Sequence, residues 1–279
     1  MRDIVVRTLR REYVIAGQDA GSPLFFLDAR PSLAGTTPMT IPICVQGRDH
    51  AFTASIGADM PFEGSLRYLA AWLDRHILSC AVADEIGAAA VQSALLRAPD
   101  GRRVLLVGGR RSGKTMLAAG LVSAGWMFEG DERAFLGPQG VVAHPRPLRI
   151  PGSLLRRAPA LAPLVEGAPS LDIEGKDRTF SLDPTRIGRE WRTAVGPVAV
   201  VFFPDNAERR HATVRRLSLD EASARTIEVS SMVHGITARG LAAIRSALQE
   251  RPCFHLELGE LDGALDSIRE IVEGARVAH

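Results

Sequence analysis

Gly108-Gly109-Arg110-Arg111-Ser112-Gly113-Lys114-Thr115 follows the apolar run Val104-Leu105-Leu106-Val107 and precedes a helix-forming stretch at 116–124. The pattern G-x-x-x-x-G-K-[ST] between a buried strand and a helix is the signature of a phosphate-binding P-loop. Its chemistry follows from the residue types. Glycines let backbone N–H groups curl around a polyphosphate, and the helix N-terminus adds a partial positive charge. Lys114 is expected to reach the β- and γ-phosphates of a nucleoside triphosphate, and the Thr115 hydroxyl to ligate Mg²⁺. Gly108, Gly109, Arg110, Arg111, Ser112 and Gly113 complete the expected nucleotide-binding set. Arg110 and Arg111 would either neutralise developing charge or recruit an anionic substrate tail, or else be solvated loop arginines.

Working outward, residues 88–96 and 102–107 read as two extended runs joined by the turn Pro99-Asp100-Gly101, so the second strand of a hairpin feeds the loop. Downstream, Gly125 ends the helix and Trp126-Met127-Phe128 reads as a strand running into Glu129-Gly130-Asp131-Glu132. Ala134-Phe135-Leu136 and Val141-Val142 flank a turn and form a second hairpin. Asp131 and Glu132 are adjacent acids at a strand end beside a triphosphate site. One can help hold Mg²⁺ while the other orients or deprotonates an attacking hydroxyl; the alternative is a solvated turn.

Residues 1–55 carry short β-like runs, among them Ile4-Val5-Val6 and Leu24-Phe25-Phe26-Leu27. Residues 64–81 read as a helix with Leu66, Leu69, Trp72, Leu73, Ile77 and Leu78 on one face, and with Arg67, Asp74, Arg75 and His76 turned to water or another layer. Residues 150–172 match no single pattern. Residues 198–203 form an apolar strand, with Pro204 disturbing its register and Asp205 a weak metal candidate; 211–219 and 253–258 read as strands, 230–249 as one or two helices, and 263–275 as a closing helix. These readings give an α/β fold, with a strand-rich region 1–82 ending in a helix and packed on a nucleotide-binding domain 83–279. His144, beside Pro145-Arg146-Pro147, reads as a surface residue, the alternative being one that approaches the site; His234 and His255 read as packed or capped, and Cys80 and Cys253 as core.

With 34 basic and 32 acidic residues and a net charge of +2, no broad attraction to nucleic acid or membrane is expected. The longest apolar run, 195–203, contains Gly196 and Pro197 and is too short to span a bilayer. Cys44, Cys80 and Cys253 have no metal-ligand spacing, and the N-terminus opens without a signal-type apolar block, so a cytoplasmic location is expected. No N-K-x-D or T-K-x-D segment is present to read guanine.

The stretch 88–136 resembles the catalytic core of the HPr kinase/phosphorylase-like family. The matching pieces are Ala88-Ala89-Ala90-Val91, the loop from Gly108 to Thr115, Leu117-Ala118-Ala119-Gly120-Leu121, Gly125-Trp126-Met127-Phe128 and Asp131-Glu132. Pro145-Arg146-Pro147-Leu148 is similar to a Pro-Arg-Pro element of the relatives. The resemblance implies a P-loop core of the HPr kinase/PEP carboxykinase-like type and an ATP-dependent serine kinase, with Asp131 as catalytic base and Glu132 near the metal. The chain departs from the family in carrying Asp-Glu for Asp-Asp, and Gly87 where the family has a histidine that assists proton movement. No segment is recognisable as the family's contact with HPr. The expected function is transfer of the γ-phosphate of ATP, with Mg²⁺, to a hydroxyl of a peptide or small protein. The alternative is a non-catalytic ATP-binding regulatory protein of the same fold. A homo-oligomer remains open.

Overall fold

In the computed structural model the hairpin around Pro99-Asp100-Gly101 forms and sits in the middle of a mixed sheet. The structure describes residues 1–19, 21–33, 37–48, 51–56, 62–85, 88–206, 211–231 and 237–274. Strand Ser93–Arg97 pairs antiparallel with Arg103–Val107, which runs parallel to Val200–Asp205; Cys253–Glu257 continues the parallel set. Met127–Gly130 and Thr213–Leu217 pair antiparallel at the two edges of this six-stranded sheet.

Alternation along these strands explains their unbroken apolar runs. Val104, Leu106, Val200 and Phe202 face a core shared with the helices Lys114–Ser123 and Leu261–Gly274. Leu105, Val107, Val201 and Phe203 face a second core that includes Ile244 and Leu248 of helix Ala238–Leu248. A strand buried on both faces has no polar side to show. Pro204 lies inside its strand without breaking it. Val201 N–H donates to Pro252, so by alternation Pro204 faces the other neighbour, Arg103–Val107, which has already ended.

A second, antiparallel sheet is built from Gly140–Ala143, Ala134–Gly137, Ala89–Val91 and Ser230–Ser231. The N-terminal strands Arg2–Arg7, Arg11–Gln18, Met39–Arg48, Ala51–Ile56 and Phe62–Gly64 form a five-stranded sheet. Helix Leu66–Asp84 follows, capped by the Ser65 hydroxyl, and buries Leu69, Leu73 and Ile77. The apolar core runs without a break from Ile4 and Tyr13 through Leu73 to Val104 and Leu121. The molecule is therefore a mixed α/β structure with several sheets. Among the described residues no helix is long and apolar enough to cross a membrane.

Several expectations need correction. Leu24-Phe25-Phe26-Leu27 is not a strand but part of the 3-10 helix Pro23–Leu27, because Ser22 caps it and Pro23 pre-sets its first turn. The stretch 150–172 resolves into the end of strand Leu148–Pro151, helix Gly152–Arg157, the 3-10 helix Pro159–Val165 and the short strand Ser170–Leu171. Helix Leu219–Glu228 replaces the end of the run read at 211–219. Its signal was present as Ser218 and Glu221, which form a reciprocal capping box. Residues 230–231 are strand and only 238–248 are helix; His234 lies outside the described residues, as does Gly87. Cys253 is buried, whereas Cys80 is only half-buried.

Candidate functional site

Strand Arg103–Val107 delivers the loop to the N-terminus of helix Lys114–Ser123, with Gly113 as its cap at φ 92°. That left-handed conformation suits glycine, and a Cβ at Gly113 would collide with Leu258 Cδ1. Lys114 folds back over the loop. Its Nζ donates to the Gly109 carbonyl at 2.7 Å and to Ser112 Oγ at 3.4 Å. Burial lowers its pKa, with Asp131 and Glu132 pulling the other way. A buried ammonium whose acceptors are loop oxygens can exchange them for phosphate oxygens at little cost.

Strand Met127–Gly130 brings the acidic pair to the same place. It passes so close to the backbone of His144 that a Cβ on Gly130 would collide with the His144 carbonyl. Just beyond this strand, Asp131 is 4% exposed, and Thr115 Oγ1 donates to its Oδ2 at 3.3 Å. Burial raises the Asp131 pKa, while Lys114 and the Glu132 N–H act in the opposite direction. Glu132 has φ 74°, unusual for a residue with a side chain. Arg146 Nη1 donates to its Oε2 at 3.2 Å, and Arg133 Nη1 lies 3.7 Å from Oε1.

Arg146 is itself held from behind. It pairs with Asp74 of helix Leu66–Asp84, and Arg149 donates to the other Asp74 oxygen at 2.8 Å. Burial pushes the Asp74 carboxyl up, but Arg146 and Arg149 outweigh it and hold the group well below the usual carboxylate range. Arg149 also stacks over the Phe26 ring at 3.8 Å. Of the two orientations expected for Asp74, water or another layer, the structure shows the second.

Between these elements lies a cavity of about 500 Å³. Arg110, Arg111, Ser112, Gly113, Lys114 and Thr115 line it, together with Asp131 and Glu132. Gly108 and Gly109 shape the loop beneath without lining the cavity. Leu154, Arg157 and Asn206 also line the cavity, and neither they nor Asp74 and Arg149 carry a site signal in the sequence. The spacing of a chain carries no signal for such pairings. Asp205 does not line the cavity; its side chain is 62% exposed. His144 is not a surface residue. It is 4% exposed, edge-on to Phe135, and its pKa is pushed down to about 3, first by burial and then by Arg146.

Among the described residues no group of three His, Cys, Asp or Glu side chains could hold a metal ion alone. The oxygen donors facing one another at the loop are the Thr115 hydroxyl and the Asp131 carboxylate, with Ser112 and Glu132 also lining the cavity. That set suits Mg²⁺, which takes few protein ligands and completes its shell with water and nucleotide phosphates. No family model matches the chain, and no curated protein matches it.

Proposed function

We propose that the protein is an ATP-dependent phosphotransferase of the HPr kinase-like type that phosphorylates a hydroxyl, serine by resemblance, of a peptide or small protein. The observation that carries this reading is the hydrogen bond between Thr115 and Asp131 at the mouth of the P-loop. It joins the hydroxyl that ligates Mg²⁺ in such loops to a carboxylate at a strand end, inside a cavity large enough for a nucleotide. The order of elements supports the family resemblance: an antiparallel hairpin, the loop, the helix, then a strand followed directly by two acids.

In this reading the loop amides and Lys114 bind the phosphates. Thr115 and one carboxylate of the acidic pair hold Mg²⁺, which neutralises charge on the transferring group, while the other carboxylate meets the acceptor hydroxyl. The protein supplies positioning and electrostatic stabilisation, which dominate phosphoryl transfer. One feature favours the second reading, a protein that binds ATP as a switch: Gly87 stands where the resembled family has a histidine that assists proton movement.

Transfer from γ-labelled ATP into proteins and peptides of a host lysate tests the two readings, with Lys114→Ala as control. Label on serine with the wild type alone supports the kinase. Mg-ATP binding that needs Lys114, without any transfer, moves the conclusion to the switch.

A further inference from the structure

Asp131 and Glu132 are neighbours in sequence, yet the backbone turns them apart. Asp131 faces inward to Thr115 and is almost without solvent contact. Glu132, in its left-handed conformation, keeps 35% of its side chain exposed beside the cavity. Strained backbone of this kind persists only where the surroundings impose it. Here the surroundings are Arg146 and Arg133 on the carboxylate itself.

We infer that the two acids divide the work in the reverse of the order implied by the resemblance: Asp131, with Thr115, is the metal-facing carboxylate, and Glu132, held by Arg146, is the acid that meets the acceptor hydroxyl. The inference rests on the phosphotransfer reading. Three observations carry it. First, the Thr115 hydroxyl and Asp131 Oδ2 already converge at 3.3 Å, as a pair sharing one cation requires. Second, an acceptor hydroxyl arrives from solvent. Both acids line the cavity, but Glu132 keeps 35% of its side chain exposed there while Asp131 as a residue is 4% exposed, so Glu132 offers the more open approach. Third, Arg146 cannot swing away from Glu132 cheaply, because its guanidinium also neutralises buried Asp74.

Arg146 is thus a positioning residue, and Asp74, supplied by the helix of the N-terminal region, fixes it. Phosphoryl transfer depends more on alignment of the acceptor than on a strong base, and alignment is what Arg146 supplies. In the step itself the acceptor oxygen forms a bond to the γ-phosphorus, and the bond from that phosphorus to the β,γ-bridging oxygen breaks. ADP leaves with the electron pair. The hydroxyl proton passes to the Glu132 carboxylate and from there to water.

The test uses Mn²⁺ in place of Mg²⁺, with a non-hydrolysable ATP analogue, and reads bound Mn²⁺ by electron paramagnetic resonance. Asp131→Asn is expected to weaken Mn²⁺ about 10-fold or more, and Glu132→Gln to stay within about 2-fold of wild type. The opposite ranking overturns the inference. In the labelled-phosphate assay on lysate protein, Glu132→Gln should lose about 100-fold or more in kcat with KM for ATP within about 2-fold. Near-normal kcat in Glu132→Gln overturns its role. Arg146→Lys, which keeps the charge but loses the fork, should lower kcat while leaving Mn²⁺ affinity in place; parallel loss of both overturns positioning. A wild type that binds Mn²⁺ and the analogue yet transfers nothing refutes the phosphotransfer reading and the role of Glu132. The Mn²⁺ ranking still decides Asp131 in that case. A wild type that binds neither refutes both.

Discussion

Asp74 pairs with Arg146 across 72 residues of chain, and the same carboxylate accepts a hydrogen bond from Arg149 at 2.8 Å. One acid thus faces two arginines in a region with little water: the side chains are 14%, 15% and 10% exposed. Through Arg146 this triad contacts Glu132 and joins the N-terminal region to the cavity that Glu132 lines.

Removing the acid should be costly. Asp74→Asn leaves buried Arg149 without its counter-charge and Arg146 with Glu132 alone, a loss of about 3–5 kcal/mol. Thermal unfolding at neutral pH should therefore show Tm lowered by roughly 10 °C. The pH dependence has a definite sign. The folded carboxyl titrates well below its unfolded value, so its stabilisation is present above the unfolded value and is lost as pH falls toward the folded one. The gap between wild type and Asp74→Asn should narrow below about pH 4. A constant gap across that range would show that the ion pairs contribute nothing.

His144 gives a second pH signature. Its folded pKa, pushed down to about 3 by burial, lies below the unfolded value of about 6.5, so the proton is taken up only on unfolding. Stability should fall as pH drops through that interval. His144→Gln should flatten the slope of Tm against pH between about 6.5 and 4, whatever its effect at neutral pH. An unchanged slope would mean that another group carries the acid sensitivity.

Lys114→Met should separate folding from binding. Hydrogen bonds to a charged group are worth about 1.5–3 kcal/mol, so Mg-ATP affinity measured by calorimetry should fall about 10- to 100-fold. Tm without nucleotide should hold or rise, because burial already disfavours the ammonium that is removed.

Gly113→Ala should damage both. The left-handed φ of 92° costs a residue with a Cβ about 1–2 kcal/mol, and the collision with Leu258 adds to it. A Tm lower by about 3 °C or more is expected, together with weaker Mg-ATP binding, since the shift moves the helix N-terminus that the proposed function sets against the phosphates. Wild-type affinity in this variant would show that the loop geometry is not what binds nucleotide.

The local chemistry of residues 103–123 was legible from the chain alone. Apolar β-branched and leucine residues make the strand, glycines supply the turn, and a helix-forming run follows; strand, loop and helix form at those positions. The acidic pair was also visible, because it lies one short strand further on. The strand-like reading of Leu24–Leu27 failed for a local reason that was equally readable: Ser22 and Pro23 cap and start a 3-10 turn.

What the sequence alone determined is therefore the set of groups whose partners lie within one strand or one turn of them. The tertiary structure decided the rest. It turned Asp131 toward Thr115 and Glu132 toward Arg146, buried His144, and set Asp74 against two arginines more than seventy residues away. Periodicity can show that Asp74 leaves the apolar face of its helix. Only the packing of another layer over that face determines whether it meets water or a guanidinium, since the free energy of a charge depends on what surrounds it rather than on its place in the chain.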